Sequence, residues 1–125
     1  MIKVKDIMKR VISTERDIKV KEAARIMSKM RIGSLVLIKG SKILGILTER
    51  DVIKHISSLN KKMSKIIKKK VITIDLDHSI DDAAKLMAKY KIKRVLVTEK
   101  GKLIGIITAT DIIANSDVLN ETSFL

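Results

Sequence analysis

Two heptapeptides hold the residues best able to grip a ligand: Gly45-Ile46-Leu47-Thr48-Glu49-Arg50-Asp51 and Gly105-Ile106-Ile107-Thr108-Ala109-Thr110-Asp111. Both read Gly-x-x-Thr-x-x-Asp, and both stand where an apolar β-type run gives way to a helical pattern. The free amides and positive dipole of a helix start favour a phosphate or another anion. An aspartate only accepts hydrogen bonds, and it can take both hydrogens of a ribose cis-diol. The threonine can contact the sugar or a phosphate oxygen, and the glycine removes a side chain where a ligand approaches. Thr48 with Asp51, and Thr108 with Asp111, also fit the reciprocal capping pattern of a helix start. A cap stabilises by about 1 kcal/mol and needs no ligand.

What favours the ligand reading is duplication. Val11 to Asp51 aligns without a gap onto Val71 to Asp111, with 13 identities in 41 positions. Asp17/Asp77, Ala23-Ala24/Ala83-Ala84, Met27/Met87, Ile32/Ile92, Gly45/Gly105, Thr48/Thr108 and Asp51/Asp111 all match. A unit of this length cannot cover its own apolar face, so two copies are expected to pack on each other.

Each copy reads strand, helix, strand, strand, helix. Val11-Ile12-Ser13 is a short β-like run, after which Val20, Ala23, Ala24, Met27 and Met30 recur at helical spacing. The second copy repeats the stripe with Ile80, Ala83, Ala84, Met87 and Tyr90. Leu35–Ile38 and Ile43–Leu47 flank Lys39-Gly40-Ser41-Lys42, a hairpin signal repeated around Glu99-Lys100-Gly101-Lys102. Such near-continuous apolar strands imply sheets covered by helices, an α/β (α+β) architecture. The expected domains are 1–60 (core 11–57) and 61–125 (core 71–116). Lys54 to Lys70 reads as a lysine-rich hinge, and Leu119, Phe124 and Leu125 of the tail could dock on the body or on another subunit.

Composition narrows the chemistry. The formal charge is +13, from 27 Lys and Arg against 14 Asp and Glu, so an anionic partner is favoured. One Phe, one Tyr and no Trp argue against single-strand recognition by base stacking. Absence of cysteine excludes disulfides and sulfur-based zinc sites. No run of 18 apolar residues and no apolar leader after Met1 point to a cytoplasmic protein without a membrane span. Lysine enrichment leans toward a thermophile. Asp75–Asp82 lacks calcium-loop spacing, and Ser79 with Asp81 and Asp82 reads as a helix start instead. His55 and His78 have no partner spacing for zinc, so no metal and no catalytic residue are expected.

The duplicated unit, with its Ala-Ala helix, hairpin and Gly-x-x-Thr-x-x-Asp ending, resembles a tandem pair of CBS domains (cystathionine-beta-synthase motifs), a Bateman module, over about residues 4 to 115. The resemblance implies β-α-β-β-α repeats packed about a pseudo-twofold axis, with clefts that in many members hold adenosyl ligands. Carried over residue by residue, Asp51 and Asp111 match the ribose-binding carboxylates, and Thr48 and Thr108 the hydroxyls beside ribose or phosphate. Ile12, Ile32, Ile72 and Ile92 match the positions that sandwich the base. The copies differ before the second strand: Lys93-Arg94 suits phosphate, where the first copy has Gly33-Ser34. Arg94 is accordingly expected to complete the Asp51 cleft, making the sites unequal.

The resulting expectation is a non-catalytic sensor. It would bind an adenine nucleotide or S-adenosylmethionine as regulatory ligand, require no cofactor, and signal through a homodimer or a separate effector protein. The alternatives are a nucleic-acid-binding protein acting through its lysines and a ligand-free scaffold.

Overall fold

The structure, a computed structural model, describes residues 1–115. The elements run α1 (Val4–Ile7), β1 (Ser13–Thr14), α2 (Val20–Met30), β2 (Ser34–Lys39), β3 (Lys42–Thr48), α3 (Glu49–Lys54), β4 (Thr73–Asp75), α4 (Ile80–Tyr90), β5 (Arg94–Glu99), β6 (Lys102–Thr108) and α5 (Ala109–Ala114). Two 3-10 turns, Ile56–Ser58 and Met63–Lys65, lie between α3 and β4. The strand-helix-strand-strand-helix order read from the repeat is present in each copy.

The chain divides into two compact units, one of residues 11–71 and one of residues 1–10 with 72 onward. These bounds differ from the sequence division at residue 60, for a physical reason. Val4 is fully buried in the core that Ile74, Ala83, Met87, Val95 and Ile107 build. Met63 and Ile67 are buried in the core of Ala23, Met27, Leu35 and Leu47. The segment preceding each repeat therefore packs on the other repeat. The lysine-rich stretch is not a free hinge: its lysines at 61, 62, 65, 68, 69 and 70 point outward while Met63 and Ile67 point in. The tail residues Leu119, Phe124 and Leu125 lie outside the described residues.

In the first unit the sheet order is β1-β2-β3, with β1 parallel to β2 and β2 antiparallel to β3. The second unit repeats this as β4-β5-β6. Both ladders shift register just past the glycine pairs Leu37–Gly45 and Val97–Gly105, a bulge that adds local twist. The hairpins differ in detail. Lys100 and Gly101 both have positive φ, the sign pattern of a type I′ turn, whereas in the first hairpin only Gly40 does.

The alanine-methionine stripes face the cores through Val20, Ala23 and Met27, and through Ile80, Ala83 and Met87. Their last members depart from expectation, since Met30 is 48% and Tyr90 40% exposed. Each helix ends there in a left-handed residue, Arg31 (φ 54) or Lys91 (φ 53). The amides of Ile32 and Ile92 turn back to the carbonyls of Met27 and Met87, the Schellman closure. That reversal sends the chain directly into β2 and β5.

Candidate ligand-binding site

The two Thr-x-x-Asp turns fold as complete capping boxes. Thr48 donates from its amide and its hydroxyl to Asp51 Oδ2, both at 2.9 Å, and Thr48 Oγ1 accepts from the Asp51 amide at 3.3 Å. Thr108 and Asp111 repeat this at 3.1, 2.8 and 3.2 Å. Asp51 is 4% and Asp111 6% exposed. A carboxylate this buried is expensive unless paired, and here the helix start, the threonine donors and a lysine stabilise it. The helix-cap reading of the motif is therefore realised in full, and it uses only one oxygen of each carboxylate.

The other oxygen faces a lysine. Lys68 Nζ lies 3.8 Å from Asp51 Oδ1, and Lys9 Nζ lies 3.1 Å from Asp111 Oδ1. Burial pushes the Asp111 carboxyl up, but the hydrogen bonds from Thr108 and Lys9 outweigh it and hold the group below its usual value. Both lysines are anchored through their backbones. Lys9 exchanges hydrogen bonds with Ile106 at 2.8 and 3.0 Å, and Lys68 with Ile46 at 3.2 and 3.2 Å.

This changes the reason for the glycines. A Cβ on Gly45 would sit 2.7 Å from Ile67 Cδ1 and 2.7 Å from the Lys68 carbonyl oxygen. One on Gly105 would sit 2.9 Å from Met8 Sδ and 3.0 Å from the Lys9 carbonyl oxygen. The glycines make room for the chain's own lysine-bearing segment, where the sequence reading placed an approaching ligand.

Of the remaining candidate residues, Gly33, Ser34, Lys93 and Arg94 adjoin the turns through the backbone. Ser34 is the register partner of Thr48, and the Gly33 carbonyl accepts from the Glu49 amide at 3.1 Å. Arg94 is the partner of Thr108, and the Lys93 carbonyl accepts from Ala109 at 2.8 Å. Ile12 and Ile72 sit just ahead of β1 and β4, half-buried, with their carbonyls bonded to Val36 and Leu96. Ile32 and Ile92 are half-buried at the helix reversals. In the first unit the backbone thus joins Gly33 and Ser34 to the Thr48–Asp51 turn, and in the second Lys93 and Arg94 to the Thr108–Asp111 turn, while Ile12 and Ile72 attach to β2 and β5.

Sequence reasoning missed Lys9 and Lys68. They sit 59 residues apart, just upstream of the gap-free repeat with its spacing of 60, so the aligned block did not include them. Extending the repeat upstream with a one-residue gap pairs Val4 with Met63 and Lys9 with Lys68. A separate groove of 590 Å³ opens between α2 and α3, lined by Ala24, Met27, Ile32 and Val52 with Arg31 and Glu49. Asp51 is not among its lining residues.

The CBS domain family matches the chain twice, over residues 4–58 and 63–117. The chain belongs to the CBS-domain family. A Methanocaldococcus jannaschii protein, MJ1232, is 32% identical over 114 residues, covering 90% of this chain and 38% of its own length. The chain therefore spans well under half of that relative. The CBS domain pair of protein MJ0100, solved in complex with 5′-methylthioadenosine and S-adenosyl-L-methionine, superposes with a TM-score of 0.83. It is 34% identical, over 90% of this chain and 93% of that one. A CBS domain protein of Pyrobaculum aerophilum, PAE2072, complexed with AMP, has a TM-score of 0.86, covering 99% of this chain and 100% of that one. At 23% identity it shows the fold alone. Among the described residues no helix is long and apolar enough to cross a membrane.

Proposed function

We propose that this CBS pair is a regulatory module without chemistry of its own, binding an adenosine-containing ligand at the Thr-x-x-Asp turns. The observation that carries the reading is the split use of each carboxylate: Oδ2 closes the helix cap, and Oδ1 is left for a donor from outside the turn. A ribose diol supplies such donors. Thr48 and Thr108 hold the acceptors in place, Ile12, Ile32, Ile72 and Ile92 offer apolar walls for a base, and Lys93 and Arg94 suit a phosphate. The relative solved with 5′-methylthioadenosine and S-adenosyl-L-methionine supports the ligand class. A ligand that prefers one arrangement of the protein shifts its population toward that arrangement, which is all a sensor requires.

Output through a second copy or a separate effector follows from the helix surfaces. Met30, Ile53 and Tyr90 are exposed on helices, and the α2–α3 groove is mostly apolar. A homodimer in sedimentation is the expected state. The outward lysines favour a second reading, nucleic-acid binding, whose affinity would collapse with salt.

A thermal-shift panel at about 0.2 M salt separates the two, because that screening suppresses backbone-phosphate binding. At a hundredfold excess over Kd, an adenosyl compound should raise Tm by about 10 °C. The shift should vanish when Asp51 and Asp111 are both replaced by Ala. No shift with AMP, ATP, S-adenosylmethionine or 5′-methylthioadenosine would leave the turns as helix caps only.

A further inference from the structure

The two carboxylates differ in the one oxygen that matters. In each turn Oδ2 already accepts two hydrogen bonds from threonine, which fills the lone pairs of that oxygen. A diol must therefore bind Oδ1. At Asp111 this oxygen takes Lys9 Nζ at 3.1 Å, a direct charge-assisted hydrogen bond. At Asp51 the lysine stands at 3.8 Å, beyond hydrogen-bond reach. Both aspartate side chains are 6% exposed, so the lysine contact is what distinguishes the two Oδ1 atoms.

We propose that Lys9 is a lock on the Asp111 acceptor, and that Asp51 is the acceptor open to ligand in the resting protein. This rests on the diol reading above and adds which of the two sites a ligand meets unobstructed. The lock is built into the fold. Gly105 admits the Lys9 backbone, and the paired bonds to Ile106 fix where its side chain starts. The Lys9 side chain is 72% exposed while that of Asp111 is 6% exposed, so the ammonium can swing into water and the carboxylate cannot. A diol that places both of its hydrogens on Asp111 Oδ1 must displace Lys9 first, and its affinity there is lowered by the strength of that pair. For an ion pair with one exposed partner the factor is about fivefold.

The test uses calorimetry with 5′-methylthioadenosine, which carries no phosphate for a lysine to contact, and with AMP. In an Asp51→Ala chain, which isolates Asp111, adding Lys9→Met should tighten binding about fivefold. In an Asp111→Ala chain, adding Lys68→Met should tighten it much less. Raising salt should tighten 5′-methylthioadenosine at Asp111 when Lys9 is present, because screening weakens the lock, and not in Lys9→Met. If Asp51→Ala fails to fold, Lys9→Met in the otherwise wild-type chain should tighten the weaker of two binding steps. Unchanged or weaker binding of 5′-methylthioadenosine in Lys9→Met overturns the lock while leaving the receptor reading intact. Binding of neither compound to the wild-type chain overturns the receptor reading and the lock with it.

Discussion

Thr48, Asp51, Thr108 and Asp111 each do two things with few atoms. The threonine both donates to and accepts from the aspartate's turn, and the aspartate divides its oxygens between cap and lysine. The lowered pKa of Asp111 fixes the sign of an acid effect. Folded Asp111 holds its charge to lower pH than the unfolded chain does, so its contribution is complete above the usual 3.8 and is lost as the pH falls through the lowered value. Denaturant titrations between about pH 5 and pH 2 should show the wild type losing more stability than Asp111→Asn. A parallel decline in both proteins would remove Asp111 as a source of the acid sensitivity. The two glycines give a graded prediction at the same scale. Gly45→Ala meets a carbonyl oxygen and Ile67 at 2.7 Å, whereas Gly105→Ala meets its nearest atom on a flexible methionine at 2.9 Å. Overpacking at Gly45 should cost about 2 kcal/mol and at Gly105 less, measured by chemical denaturation. The capping pairs Thr48–Asp51 and Thr108–Asp111 were legible in the sequence by type and spacing. The glycine role was not, because the atoms that crowd it come from a segment outside the aligned repeat.

At the scale of elements, the helices and hairpins followed from local chemistry. Period-3.6 apolar positions gave α2 and α4, Ser79 capped α4 as its sequence suggested, and the Gly40 and Gly101 turns closed the hairpins. Met30 and Tyr90 fit the same period yet lie exposed, each the last helical residue before the left-handed reversal at Arg31 or Lys91, which periodicity does not reveal. The left-handed helix ends were hidden too, because Arg31 and Lys91 stand where glycine is usual. A non-glycine residue in that conformation costs roughly 1 kcal/mol, partly offset by the entropy glycine loses on folding. Lys91→Gly should therefore stabilise the protein by about 0.5 kcal/mol in a denaturant midpoint. Destabilisation would mean that the Lys91 side chain supports the helix end in a way its backbone angle does not suggest.

For the whole molecule, the instructive feature is chain order. Each repeat is preceded by a segment that belongs to the other unit, so the chain passes between units at Arg10–Val11 and again at Val71–Ile72. A division that follows the repeat, at residue 60, does not show this, because Val4, Met63 and Ile67 look like ordinary scattered apolar residues until the cores they fill are seen. The duplication itself was plain, and with it the family. The lysines that reach Asp51 and Asp111 arrive on these same crossing segments, which ties the state of each carboxylate to the chain that leads into the other unit. Recognition of a ribose diol by the Oδ1 atoms of Asp51 and Asp111 should show in the affinities for AMP and 2′-deoxy-AMP. A lost hydrogen bond to a charged acceptor should weaken the deoxy compound about tenfold or more in the wild-type chain. That preference should disappear when Asp51 and Asp111 are both alanine. Equal affinity for the two nucleotides in the wild-type chain, or a ribose preference that survives in the double variant, would contradict the account.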